Sequence, residues 1–355
     1  MSFSIGIVGL PNVGKSTLFR ALTQKQVDIA NYPFCTIDPN VGVVAVPDER
    51  LEKLAVLSKS ARIVPTTVEF VDIAGLVRGA HRGEGLGNQF LSHIREVDAI
   101  CMVLRWFADG DIIHVENTVD PLRDRDIVEM EMIMADMQVV RKRLESISKQ
   151  VKGGDKEAMR FSKLLEKVLA VLNAGKPAHD VSVDEAECVF LNSLQLLTAK
   201  PLLYVVNVAE NDNVSLPSEL AALTPVRLCA KLEAELVELP QDEVRVYLRD
   251  AGFAQTGLDQ LIVRVYELLG LRTYLTTGEK ETRAWTVKAG TLAPQAAGVI
   301  HTDFEKGFVK AEVVQWKALV EAESYAAARQ KGKLRIEGKE YVIQDGDVII
   351  FKIAP

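Results

Sequence analysis

Short apolar runs alternate with amphipathic stretches along the first hundred residues. Ser4–Val8, Val41–Val46 and Thr66–Asp72 have the length and β-branched content of strands, while Lys15–Thr23 and Gly87–Val97 have the spacing of helices. Asp98–Leu104 and Pro201–Val208 are continuous apolar runs, as expected for strands covered on both faces. This alternation predicts an α/β fold with a doubly wound, mostly parallel sheet.

The period changes near residue 127. Ile127, Met130, Ile133, Met137, Val140, Leu144, Ile147 and Val151 recur at steps of three or four, which predicts a long coiled-coil-type helix. A turn at Gly153-Gly154-Asp155 leads to a second helix carrying Phe161, Leu164, Leu165, Val168 and Leu172, stopped by Gly175 and Pro177. Ser182 with Glu185 has the spacing of a capping box, opening a third helix to about Leu197. After residue 278 strand-like pieces (Arg283–Val287, Phe308–Val314, Lys333–Ile336, Glu340–Ile343, Asp347–Ile353) surround one helical stretch, Trp316–Arg329. The predicted organisation is a discontinuous nucleotide-type domain (1–126 and 198–277), an antiparallel α-helical insertion (127–197) and a small α+β domain (278–355).

Composition narrows the function classes. The 355 residues are 48% hydrophobic and 26% charged, too apolar for a disordered chain. A net charge of −7 argues against a generally basic nucleic-acid-binding surface. The charge is uneven, however: Arg141–Lys167 holds nine basic and four acidic residues, a local balance of +5. That stretch is either a solvated helix face or a basic finger for RNA phosphates. Cysteines 35, 101, 188 and 229 form no C-x-x-C unit, which disfavours zinc and dithiol chemistry. With no basic leader at Met1 and no apolar run near the ~20 residues of a membrane span, a soluble cytoplasmic protein is expected.

The chemistry concentrates at Gly9-Leu-Pro-Asn-Val-Gly14-Lys15-Ser16, followed by Thr17. It matches G-x-x-x-x-G-K-[ST] and sits between a strand and a helix, the setting of a phosphate-binding loop. Its glycines let main-chain N–H groups wrap phosphates, Lys15 serves the β- and γ-phosphates, and the Ser16 hydroxyl is a Mg²⁺ ligand. The strand ending at Asp72 supplies a second Mg²⁺ ligand, and Gly75 three residues later is placed to sense the γ-phosphate through its N–H. Thr36, in a Gly/Pro-rich stretch, either completes the metal shell when the γ-phosphate is present or is a plain loop threonine. The stretches 29–42 and 75–87 have the composition of loops that order on triphosphate and relax after hydrolysis.

Base selection falls on Asn207-Val208-Ala209-Glu210, where GTPases carry Asn-Lys-x-Asp. Val208 replaces the lysine and the longer Glu210 replaces the aspartate that accepts from guanine. Guanine selectivity is therefore expected to weaken, with Asn207 free to bond adenine. Cys229-Ala230-Lys231 has the placement of a loop flanking the base. For hydrolysis, Leu76 stands where Ras-type enzymes have a water-orienting glutamine. His114 is either the substitute that positions water or a plain loop histidine. Asn12 is a candidate K⁺ ligand in place of an arginine finger.

These segments together resemble the YchF/Obg-like ATPase subfamily of the Obg-related P-loop proteins. The resemblance covers nearly the whole chain and is most specific in NVAE (207–210) and APQAAGVIHTDFEKGFVKAEV (293–313). It implies a G domain, an inserted antiparallel coiled coil and a C-terminal TGS domain of β-grasp type. It also implies ATP preferred over GTP, slow Mg²⁺-dependent hydrolysis and association with the ribosome. Nucleotide contacts of the family carry over onto Asn12, Val13, Gly14, Lys15, Ser16 and Thr17, and onto the main chain at Val208. Leu76 corresponds to the hydrophobic replacement of the catalytic glutamine, and His114 to a histidine argued to assist some members. The expected function is a ribosome-associated ATP switch in which the basic finger and the TGS domain contact RNA or ribosomal protein. The alternatives are a nucleotide-gated interaction module with negligible hydrolysis and a GTPase of relaxed base specificity.

Overall fold

The computed structural model describes residues 3–25, 40–73, 94–109, 114–210 and 215–354. In chain order the elements used below are β1 (Ser4–Val8), α1 (Lys15–Gln24), β2 (Val41–Ala45), α2 (Glu49–Ser58), β3 (Ile63–Val64), β4 (Thr67–Asp72), β5 (Ala99–Trp106), α3 (Pro121–Lys152), α4 (Lys156–Asn173) and α5 (Glu185–Ser193). They continue with β6 (Leu202–Val208), β7 (Val226–Leu228), α6 (Ala230–Leu236), α7 (Gly257–Leu268), β8 (Leu271–Thr277), β9 (Thr282–Lys288), α8 (Ala293–Ile300), β10 (Phe308–Gln315), α9 (Trp316–Ala322), α10 (Tyr325–Gln330), β11 (Arg335–Glu337) and β12 (Asp347–Ile353). The chain packs as two compact units, Met1–Val43 with Glu69–Leu261 and Val44–Val68 with Ile262–Pro355.

The first unit is built on a sheet of order β2-β4-β1-β5-β6-β7, in which β1 pairs in parallel with β4 and β5, β5 with β6, and β6 with β7. Ile5, Ile7, Ile100, Met102, Val205 and Val206 are all but fully buried, which is why their strands read as unbroken apolar runs. The strand order steps from β1 to β4 on one side and to β5 on the other. That reversal opens a crevice at the carboxyl ends of the strands, where ligands of such sheets bind.

The helical hairpin follows the predicted stripe. Ile133, Val140 and Ile147 of α3 pack on Phe161, Leu164, Leu165 and Val168 of α4 in one apolar cluster. Its boundaries differ from the sequence reading. Helix α3 begins at Pro121, six residues earlier, because Asp120 accepts from the Arg123 N–H and proline suits the first turn. The third helix is capped by Asp184, with Glu187 closing the box in place of the expected Ser182 and Glu185, and it ends at Ser193. Deep in α3, the fully buried Asp136 carboxylate accepts from the Leu197 and Thr198 N–H groups and the Thr198 hydroxyl, tying the hairpin to the turn that enters β6.

The second unit holds a sheet of order β11-β10-β12-β8-β9-β3. Helix α2 and strands β3 and β8, which the sequence reading places in the nucleotide domain, belong here. Leu51 and Leu54 of α2 share a core with Leu275, Ala284, Val314 and Leu319, and β3 closes the sheet edge beside β9. The expected strand at Glu340–Ile343 is reduced to one isolated bridge, Leu292 with Val342. The expected helix Trp316–Arg329 is two helices, broken where Glu323 adopts φ 61° and Ser324 caps α10 through the Ala327 N–H. The expected helix Gly87–Val97 lies largely outside the described residues. Among the described residues no helix is long and apolar enough to cross a membrane.

Candidate nucleotide site

The loop between β1 and α1 is held in a conformation that only some residues allow. Gly9 has φ 151°, and a Cβ there would stand 2.5 Å from the Val103 carbonyl oxygen of β5. Gly14 has φ 102°, and a Cβ there would stand 2.2 Å from the Asn207 amide nitrogen. Between them Asn12 takes the left-handed region at φ 63°, which a non-glycine residue reaches at a cost of roughly 1 kcal/mol. Helix α1 starts directly after Gly14, so its unpaired N–H groups and positive end face the loop.

Three carbonyls of this loop are tied back by side chains. The Lys15 ammonium donates to Leu10 O at 2.8 Å. The Asn207 amide donates to Val13 O at 3.0 Å, and its oxygen accepts the Ala230 N–H at 2.9 Å. Arg105 directs its guanidinium at Asn12 O. Peptide groups are planar and trans, so a carbonyl turned into the protein turns the following N–H outward. The loop thus offers its donors to one side.

On that side lies a cavity of about 590 Å³, within the range of small-molecule sites. Gly14, Lys15, Ser16 and Thr17 line it at the phosphate loop, with Asn207 against Gly14, and Phe107, Val208, Glu210, Cys229 and Lys231 also line it. Ser16 and Thr17 are exposed at the first turn of α1, as is Asn12 at the apex of the loop. Burial pushes the Lys15 ammonium down to about 8, a pull that the nearby Asp72 carboxylate opposes. Burial in turn pushes Asp72 up, with Lys15 opposing. An incompletely solvated cation beside an incompletely solvated carboxylate is stabilised by an anionic ligand and a cation brought in together.

Among the described residues no group of three or more His, Cys, Asp or Glu could hold a metal by itself. The Ser16 hydroxyl and Asp72 carboxylate are hard oxygen donors at the phosphate end. Such a sparse set suits Mg²⁺ shared with substrate phosphates, which keeps most of its shell from water and ligand. Thr36 and Gly75, the remaining predicted metal and phosphate contacts, lie outside the described residues, as does Leu76.

Two expectations change. Asn207 is buried with its amide engaged on both sides, so it joins the phosphate loop to the loop at Ala230 where the sequence reading has it reaching adenine. His114 is 5% exposed and is not among the residues lining the cavity. Its Nε2 is 2.7 Å from Asp124 Oδ2 at the start of α3, and its Nδ1 accepts the Glu116 N–H at 3.1 Å. It is a packed histidine joining the loop after β5 to that helix. Sequence reasoning passed over Arg105 and Phe107, because it ended the strand at Leu104. The available signal was an arginine at the end of an otherwise unbroken apolar run, a position that seldom carries charge without a partner.

The chain is similar to known proteins over nearly its whole length. Residues 4–142 match a family described as 50S ribosome-binding GTPase, and residues 271–354 match the C-terminal YchF-GTPase family, described as a protein of unknown function. The chain is 51% identical over 363 residues to the ribosome-binding ATPase YchF of Bacillus subtilis, covering 99% of each. It is 48% identical over 360 residues to the ribosome-binding ATPase YchF of Haemophilus influenzae, again covering 99% of each. The solved YchF GTPase of Schizosaccharomyces pombe superimposes with a TM-score of 0.88 at 40% identity, covering 99% of this chain and 98% of that one. Matched to these relatives over 99% of its length, the chain belongs to the YchF family of P-loop nucleoside triphosphatases.

Proposed function

We propose that the protein is an ATP-binding, slowly ATP-hydrolysing switch that associates with the ribosome. The observation that carries the base assignment is the far end of the cavity. Val208 stands where a lysine would cover a guanine, and the exposed Glu210 is one methylene too long for the guanine-reading aspartate. Phe107, Val208 and Cys229 offer an apolar slot for a purine face, and the Val208 main chain offers polar groups to its edge. Curated relatives carry the name ribosome-binding ATPase, which supports both ATP and the ribosome as ligands.

At the phosphate end the Val13 and Gly14 N–H groups and Lys15 bind and orient the phosphates. Ser16, Asp72 and Thr36 would hold Mg²⁺, which supplies neutralisation of charge developing on the phosphate oxygens. The Gly75 N–H would report the γ-phosphate to the stretch that follows it. Asn12, exposed at the loop apex, is placed for K⁺; dependence of turnover on K⁺ over Na⁺ tests that role. The base assignment is tested by titration with ATP and GTP. Tighter binding of GTP by tenfold or more would overturn it.

The partner surface is the helical hairpin. All nine basic residues between Arg141 and Lys167 are exposed. Arg160 pairs with Asp184, which caps α5, and Lys167 with Glu187 of α5, whereas Lys142, Lys149, Lys152, Lys156 and Lys163 extend the basic face. That face suits ribosomal RNA phosphates, with the C-terminal TGS-type unit as the second contact.

A second reading has a specific observation behind it. His114 is engaged by Asp124 and by Glu116, so its ring nitrogens are occupied by the protein, and Leu76 cannot orient water. A nucleotide-gated interaction module with negligible hydrolysis follows if neither is replaced. Single-turnover hydrolysis with and without ribosomes and K⁺ separates the two: an unchanged, near-zero rate favours the module.

A further inference from the structure

We infer that Arg105 is a positioning residue for the triphosphate: anchored on the Phe107 and Asp109 carbonyls after β5, it holds the Asn12 carbonyl of the phosphate loop. Arg105 is the penultimate residue of β5 and is 1% exposed, among the largest fully buried side chains. A guanidinium cannot shed its charge, so burying it is costly unless its donors are used. Its Nε donates to Phe107 O at 3.1 Å, Nη2 stands 3.4 Å from Asp109 O, and Nη1 stands 3.5 Å from Asn12 O. Its plane lies over the Phe107 ring, 4.3 Å from the centroid, a cation–π contact in a desolvated setting. The carbonyls it gathers belong to three residues that line the cavity, Asn12 of the phosphate loop and Phe107 and Asp109 after β5.

The register places this residue beside Asn207. Arg105 of β5 and Asn207 of β6 are Cα partners on adjacent parallel strands. Asn207 takes Val13 O, and Arg105 takes Asn12 O, the preceding carbonyl of the same loop. Two consecutive peptides are thus held from below by two neighbouring strand ends, and the N–H groups of Val13 and Gly14 are turned the other way. Asn12 holds its left-handed conformation against its intrinsic preference, which needs such an external tie. A charge at this point also makes the outward face of the loop more positive without touching the nucleotide.

The inference rests on reading the cavity as a nucleotide site, so the test measures that reading separately. Affinities for MgATP (by calorimetry) and for adenosine (by saturation-transfer NMR) are compared in the full-length protein, Arg105→Met and Arg105→Lys. Methionine keeps the volume and a contact with the Phe107 ring but removes the donors. Arg105→Met is expected to weaken ATP about tenfold or more while adenosine stays within about twofold. Arg105→Lys, which keeps the charge without the fork, should restore part of the ATP affinity. Equal losses for ATP and adenosine, or ATP binding unchanged in Arg105→Met, would overturn the role and leave Arg105 as a core residue. If Arg105→Met does not fold, Arg105→Lys decides: a rise of at least about threefold in the ATP-to-adenosine Kd ratio supports the role, and an unchanged ratio overturns it. Wild-type protein that binds neither ligand would overturn the nucleotide reading itself.

Discussion

The two ends of the cavity are built by opposite means. At the phosphate end the ligand-facing groups are mainly main-chain N–H donors, and the side chains of Arg105, Asn207 and Lys15 work from behind by holding carbonyls. At the base end the facing groups are side chains, Glu210 after β6 and Lys231 in the first turn of α6, both exposed. A main-chain site reads only charge and shape, and it fails when the backbone cannot take its conformation. A side-chain site reads chemistry and can be rewritten one residue at a time. Phosphate binding should therefore be brittle and base choice adjustable, and substitutions at the two ends separate these properties.

The largest loss is expected at Gly14. Its φ of 102° disfavours any side chain, and a Cβ would fall 2.2 Å from Asn207 Nδ2. Gly14→Ala should lower the affinity for ATP and GTP together by about a hundredfold or more, as read by calorimetry. Binding within threefold of wild type would break the contrast between the ends.

Asn207 comes next. Asn207→Ala strands Val13 O and the Ala230 N–H, each buried group costing roughly 1–3 kcal/mol. ATP and GTP should again weaken in parallel, by about tenfold or more, with a lower melting temperature. If ATP weakened while GTP did not, Asn207 would be a base contact after all.

The base end should behave differently. Val208→Lys with Glu210→Asp rebuilds the guanine-reading pair, and the ATP-to-GTP preference should move toward GTP by about tenfold with the melting temperature unchanged. A parallel change for both nucleotides would mean that this loop supports the phosphate site and does not select the base.

The same contrast explains what the sequence carries. Gly9, Gly14 and Lys15 are legible because a strained backbone and a desolvated cation leave few residue choices, so the motif is written out in order. The apolar runs at Ala99–Leu104 and Leu202–Val206 likewise announce strands buried on both faces. Contacts between distant segments are not written locally. Nothing in residues 44–68 marks them as part of the C-terminal core; only the meeting of Leu51 and Leu54 with Leu275 and Val314 does so. The ties of Asn207 to Val13 and of His114 to Asp124 are equally three-dimensional. Cap positions sit in between: spacing marks the start of the third helix, but the cap is Asp184 with Glu187, two residues beyond the expected Ser182 and Glu185.

The smallest effect on nucleotide affinity is expected far from either end, at the hairpin. Arg141, Lys142 and Arg143 are exposed, and their nearest described contacts are weak: Arg141 stands 3.4 Å from Asn173 Oδ1 and Arg143 lies 5.4 Å over the Phe161 ring. Exposed charges this loosely tied contribute little to stability, so reversing all three to Glu should leave the fold and the ATP affinity within about twofold of wild type. The local balance of nine basic to four acidic residues would nonetheless fall by six charges, to −1. Phosphate contacts are worth most at low salt and are lost in proportion to the counterions they release. Ribosome co-sedimentation should therefore drop sharply at low ionic strength, and the gap between wild type and variant should close as salt is raised. A drop that persists unchanged at high salt would point to shape-dependent protein contacts on the hairpin, and no drop at all would move the contact to the C-terminal unit.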